Sequence, residues 1–227
     1  MQGSQDRTKL IILAAFAMGA AAVVVGILIA RSGGGEDESS ATAAASGCEQ
    51  VNAPKPKTVS FEAAKRTVKE GEELTAVVET SCGDFEIALD SQRAPKTVNS
   101  FVFLSEEGFY DGLTFHRVAP GFVIQGGDPL GSGTGGPGYS VDEKPPANLA
   151  YTKGVVAMAK SSAEPPGRSA SQFFVVLSAD AGLPPEYALV GKVSEGMDVV
   201  ERIGELGTSA EKPKQTVRID SIAIERG

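Results

Sequence analysis

Phe115-His-Arg-Val-Ala-Pro-Gly-Phe-Val-Ile-Gln-Gly-Gly-Asp-Pro129 is the stretch on which the reading of the fold turns. Two short apolar runs, 114–118 and 122–125, are separated by Pro120-Gly121 and closed by Gly126-Gly127. Apolar runs of this length between turn formers predict short strands. Towards the N-terminus, 74–80 and 85–90 alternate apolar with polar residues around Ser81-Cys-Gly-Asp84, a hairpin pattern. Residues 94–108 predict a helix. Pro95 suits its first turn, Val98, Phe101 and Val102 form its apolar stripe, and Gly108 suits its stop. Towards the C-terminus come strand-length runs at 155–159, 173–177 and 188–193. A second helix follows over 195–207, with Met197, Val200 and Ile203 on one face, and then an alternating strand over 216–224. About eight strands and two helices give an all-β dominated fold. Many short strands joined by glycine-rich turns fit a closed barrel, which leaves no bare edges, although the pattern alone does not separate a barrel from a sandwich.

Composition narrows the classes. The chain has 227 residues, 22% charged and 41% hydrophobic, with 27 Gly and 13 Pro, which excludes a disordered chain, a collagen and a disulfide-dense miniprotein. The formal charge is −8, with no concentration of cations to meet nucleic-acid phosphates, so no nucleic-acid partner is expected. One histidine and two cysteines do not readily fill a tetrahedral zinc site, and no metal is expected.

Residues 10–30 contain no charge and no proline. As a helix they span about 31 Å, the thickness of a bilayer's hydrocarbon core. Arg7 and Lys9 precede them, while Glu36, Asp37 and Glu38 follow soon after Arg31. This bias predicts a single-pass anchor in the cell membrane with residues 1–9 in the cytoplasm and the C-terminal domain outside it. A cleaved signal peptide is the rival reading, but its apolar core is usually shorter and its small-residue cleavage site nearer. Cys48 lies too far from the apolar run for a lipid attachment site. Residues 31–47 read as a flexible linker, and 31–73 as linker plus extended segment, with a short strand possible at 58–61. The folded domain is expected over 74–227. Beyond residue 30 the chain carries 19 basic and 28 acidic residues, a net −9.

An oxidising compartment favours a Cys48–Cys82 disulfide. It would close a loop of about 35 residues and stabilise by roughly 4 kcal/mol in the chain-entropy picture. Two free thiols are the alternative.

The opening stretch, together with Ser171-Gln-Phe-Phe-Val-Val-Leu177 and Val190-Gly-Lys-Val-Ser-Glu-Gly-Met-Asp-Val-Val200, resembles the cyclophilin family of peptidyl-prolyl isomerases in order and spacing. Ala94-Pro-Lys-Thr-Val-Asn-Ser-Phe101 fits as well, and the resemblance runs from about residue 75 onward. It implies a closed eight-stranded antiparallel β-barrel capped by two helices, and no cofactor. It implies that Arg117 is the catalytic arginine and that Gln125 holds both it and the substrate carbonyl. Phe122, Val123, Phe174 and Leu183 would form the proline pocket, and Ala159, Lys160 and Gln172 the groove for preceding residues. Several positions depart from the common pattern: Val123 stands in place of Met, Lys160 of Asn, Gly182 of Trp and Tyr187 of His. The missing indole puts affinity for cyclosporin-type ligands in question.

The implied partners are proline-containing polypeptides, approached by a monomer. The implied role is assisting folding outside the cytoplasm; a proline-recognising module with little turnover is the alternative. Taken singly, Arg117 reads as a surface or salt-bridged residue, Phe122 and Phe174 as core, and Gln125 as an ordinary strand residue. Their joint spacing carries the functional reading. His116 reads as structural, because rotation about a peptide bond needs no proton transfer. The GxGxxG match at 131–136 precedes prolines rather than a helix, so it reads as a turn-rich loop and not a phosphate cradle.

Overall fold

The structure, a computed structural model, describes residues 47–227. The expected membrane span, 10–30, lies outside the described residues. Among the described residues no helix is long and apolar enough to cross a membrane. The elements in chain order are β1 (Leu74–Thr80), β2 (Phe85–Leu89), α1 (Pro95–Glu106), β3 (Arg117–Ala119), β4 (Val123–Gly126), β5 (Val141–Asp142), β6 (Val155–Met158), β7 (Arg168–Ser169), β8 (Phe173–Val176), β9 (Leu189–Glu195), α2 (Met197–Glu205) and β10 (Ile219–Arg226).

Eight strands make one curled antiparallel sheet in the order β10-β1-β2-β9-β6-β8-β4-β3, and β5 pairs with β7 apart from it. The expected closed barrel is therefore corrected to a sheet with a seam. Its edge strands, β3 and β10, do not form a ladder with each other. The N–H of Val118 on β3 donates instead to the Glu211 carbonyl (3.0 Å), so the loop after α2 occupies that edge. The seam is spanned just before β3 by an isolated Thr114–Arg218 bridge. Phe115 N–H also donates to Val217 O (3.0 Å), and Ile219 N–H to Leu113 O (2.8 Å).

Alternation along the strands sorts side chains between two faces. In β1, Leu74, Ala76 and Val78 are buried between less buried neighbours. The interior is dominated by aromatic rings. Phe173 meets Phe101, Tyr110 and Phe115 edge-on, with centroids 5.5 to 6.0 Å apart, the geometry that ring quadrupoles favour. Phe101 comes from α1, whose predicted stripe of Val98, Phe101 and Val102 is fully buried.

Helix α1 begins at Pro95 as expected, yet Ala94 offers no side-chain cap. Glu143, distant in sequence, supplies one: its two carboxylate oxygens accept the N–H groups of Lys96 (3.1 Å) and Thr97 (2.7 Å). Helix α2 starts two residues later than expected, because Glu195 still pairs with Glu86 in the sheet. Gly196 then turns the chain at φ +73, where a Cβ would lie 2.5 Å from the Asp84 carbonyl.

Residues 47–73 contain no helix, and the strand considered at 58–61 is absent, because that segment finds no ladder partner. The segment is nevertheless fastened to the sheet. Cys48 forms a disulfide with Cys82, and both are buried. Lys57 N–H donates to Pro129 O and Phe61 N–H to Pro137 O, both at 2.8 Å. The Phe61 ring stands edge-on to Phe103 at 5.2 Å. Asn99 of α1 accepts the N–H groups of Thr67 and Val68 and returns a bond to Lys65 O.

Candidate active site

Register builds the site. Arg117 on β3 pairs with Gln125 on β4, Gln125 with Phe174 on β8, and Phe174 with Ala157 on β6. Residues directly opposite across antiparallel strands share a face, so these side chains stand abreast. Val123, two residues from Gln125, shares that face. Phe173, Val175 and Ile124 take the other face, towards the aromatic core.

A polar relay runs across this face. The Arg117 Nε–H donates to a Glu211 carboxylate oxygen at 2.6 Å, and Nη1 donates to Gln125 Oε1 at 3.1 Å. Gln125 Nε2 donates to Gln172 Oε1 (3.1 Å), and Gln172 Nε2 to the Gly135 carbonyl (3.0 Å). The guanidinium carbon lies 5.9 Å from the centroid of Phe122, within cation–π range. The apolar side of the site is an aromatic group. Phe174 meets Tyr187 edge-on at 5.5 Å and lies tilted against Tyr151 at 6.3 Å. The Tyr151 hydroxyl donates to Tyr187 O (2.6 Å) and accepts Tyr187 N–H (2.9 Å), which fixes that ring. Burial pushes the Tyr151 hydroxyl up to about 12.

Beside the relay lies a cavity of about 500 Å³ that includes Gln125, Gln172, Ala159, Lys160, Thr134 and Gly135 in its lining. Lys160 is nearly enclosed. Its ammonium faces Glu186 at 3.3 Å, donates to the Glu164 carbonyl at 3.2 Å, and sits 5.5 Å from the Tyr187 ring centroid. The glycine-rich loop forms the opposite wall. Buried Asp128 organises it, accepting N–H groups from Leu130 and Gly133. A Cβ at Gly135 would lie 2.0 Å from the Asp128 carboxylate, so only glycine fits there.

The structure thus joins Arg117, Gln125 and Gln172 by hydrogen bonds, Phe174 and Tyr187 by ring contact, and Phe122 to Arg117 by stacking range. Ala159 and Lys160 face the cavity. Leu183 stands half-buried against the core in the loop before Tyr187. Gly182 borders open space. His116 is buried with neither ring nitrogen hydrogen-bonded, and burial lowers its pKa. Among the described residues no cluster of His, Cys, Asp or Glu could hold a metal ion. Sequence reading missed Glu211 and Tyr151. Glu211 has no signal in the sequence beyond being an acidic residue in a turn.

Residues 75–224 match the family model described as cyclophilin type peptidyl-prolyl cis-trans isomerase/CLD. The peptidyl-prolyl cis-trans isomerase B of Streptomyces anulatus is 40% identical over 174 residues, covering 68% of this chain and 98% of that protein. The peptidyl-prolyl cis-trans isomerase A of Mycobacterium tuberculosis is 38% identical over 169 residues, covering 66% and 91%. Among solved structures, a Cryptosporidium parvum cyclophilin type isomerase in the presence of the dipeptide Ala-Pro superimposes with a TM-score of 0.62 at 32% identity. That match covers 67% of this chain and 99% of the other. With its curled eight-stranded sheet, two helices and matched sequence, the chain belongs to the cyclophilin-type peptidyl-prolyl cis-trans isomerases.

Proposed function

We propose that this isomerase works outside the cytoplasm on X-Pro bonds of proteins that are still folding, held near the membrane by residues 10–30. The Cys48–Cys82 disulfide supports an oxidising compartment, and the basic residues before the apolar run support the orientation. Proline isomerisation takes tens of seconds unaided and limits the folding of many chains, so a catalyst is useful there.

The observation that carries the mechanism is the guanidinium of Arg117, held on two edges beside an apolar face. An X-Pro bond resists rotation because amide resonance sets a barrier near ~20 kcal/mol. Midway through rotation the conjugation is lost, and the prolyl nitrogen becomes pyramidal and gains a lone pair. A fixed cationic donor favours that state over the planar ground state, which is differential binding of the transition state. A guanidinium is a fixed cation with several donors, and Arg117 retains Nη2, which no described residue engages. Phe122, Val123, Phe174 and Leu183 hold the proline ring in an apolar slot, where the cation's field is less screened. Gln125 holds the substrate carbonyl, while Ala159, Lys160, Gln172 and Tyr187 border the chain preceding proline. One preorganised donor is worth about 3–4 kcal/mol, and with the smaller contribution of the apolar slot the site supplies about 5–7 kcal/mol, roughly 10⁴–10⁵-fold.

The test is a dynamic-exchange or protease-coupled assay on an Ala-Pro peptide with residues 47–227. Arg117→Ala is expected to lose about 10²–10³-fold in turnover while its melting temperature and peptide binding persist. Turnover in Arg117→Ala equal to that of the parent overturns the assignment.

A further inference from the structure

Glu211 is the only non-glycine residue among the described residues with a left-handed backbone, at φ +57. A side chain in that region crowds the following carbonyl, and the conformation persists only where the surroundings dictate it. Here they do. Glu211 N–H donates to Thr208 O at 2.9 Å, and Glu211 O accepts Val118 N–H at 3.0 Å. Thr208 closes the turn on both sides. Its N–H and its hydroxyl donate to Lys212 O at 3.0 and 2.9 Å, and its hydroxyl accepts Lys212 N–H at 3.4 Å. Gly207 and Pro213 bridge its base. The turn therefore fastens its backbone to the residue after Arg117 and its carboxylate to Arg117 itself, at 2.6 Å.

Two effects on catalysis oppose each other. A carboxylate against the guanidinium weakens the positive field that the substrate meets. It also fixes the plane of a side chain with several rotatable bonds, and so removes orientations in which Nη2 misses the prolyl nitrogen. The pair is half-exposed, with side chains 32% and 48% accessible, so water already screens much of the field effect. The orientational effect is not screened. Misplacing a catalytic group by about 1 Å costs up to ~10²-fold, so orientation decides the sign.

We propose that Glu211 is a positioning residue, a charged clamp that presents Arg117 to the amide in mid-rotation, with a strained backbone retained for that purpose. This rests on the assignment of Arg117 as the catalytic cation. Glycine is at ease at φ +57, so Glu211→Gly relieves the strain and removes the clamp without endangering the fold. Its melting temperature is expected to equal or exceed the parent's. Its kcat is expected to fall about tenfold with KM little changed, and the ¹⁵Nε–¹H resonance of Arg117 is expected to move towards that of a free guanidinium. Glu211→Gln, which keeps an acceptor, is expected to recover part of the loss. In an Arg117→Ala background, Glu211→Gly is expected to add nothing. Glu211→Gly that is folded and turns over like the parent, beside an inactive Arg117→Ala, overturns this proposal alone. An Arg117→Ala variant with parental turnover overturns the assignment of Arg117 and this proposal with it.

Discussion

His116 stands next to Arg117 in sequence, yet the two side chains are differently placed. Arg117 joins the relay, whereas His116 is buried beside Asp128 and the Thr114 backbone. Burial disfavours its charged form and lowers its pKa below the usual imidazole value of 6.5. The unfolded chain therefore binds this proton more readily than the native one. The corresponding stability is fully present above about 6.5 and is lost as pH falls through the folded-state value. Denaturant midpoints measured from pH 7.5 to 5 are expected to decline in the parent and to decline less in His116→Asn. Turnover of His116→Asn is expected to match the parent, because the reaction moves no proton. Arg117, Gln125 and Gln172 of the relay were legible because they lie in stretches with a family's spacing. Glu211 was not, because a positive φ and a partner 94 positions away leave no trace in a linear string.

Helix α1 shows the same division one level up. Its start, its stripe and its stop follow from Pro95, the spacing of Val98, Phe101 and Val102, and Gly108. Its cap does not, since Glu143 lies in a proline-bordered segment with no periodicity and reaches the helix only through the fold. A carboxylate there satisfies two orphan donors and opposes the positive end of the helix dipole. Glu143→Ala is expected to cost about 1–2 kcal/mol, read as a lower midpoint in urea with an unchanged slope. The segment 49–73 was illegible for a related reason. Its attachments are scattered hydrogen bonds, the Glu72–Arg226 ion pair, buried Val68 and the Phe61 ring on Phe103, spaced too irregularly to form a pattern.

For the whole molecule, the eight strands of the main sheet and the two helices emerged from alternation and turn residues, whereas two-residue β5 and β7 did not. The open seam did not, because it depends on the loop after α2 occupying the edge of β3, a contact distant in sequence. The disulfide ties residues 34 positions apart and joins the start of the described chain to the β1–β2 turn. Constraining a loop of that size in the unfolded state stabilises by about 4 kcal/mol, or on the order of 10 °C in melting temperature for a domain of this size. A Cys48→Ser/Cys82→Ser variant is expected to melt lower by about that amount in calorimetry, and a reducing agent is expected to have no further effect on it.

The pairing of β1 with β10 has a consequence for biosynthesis. While the last strand is still inside the ribosome, the first has an exposed flank and the hydrogen bonds of that flank have no strand to receive them. The sheet is completed only after translation has passed Arg226. An isomerase of this topology is thus unable to complete its own sheet until the tenth strand has been made, however early the first is ready.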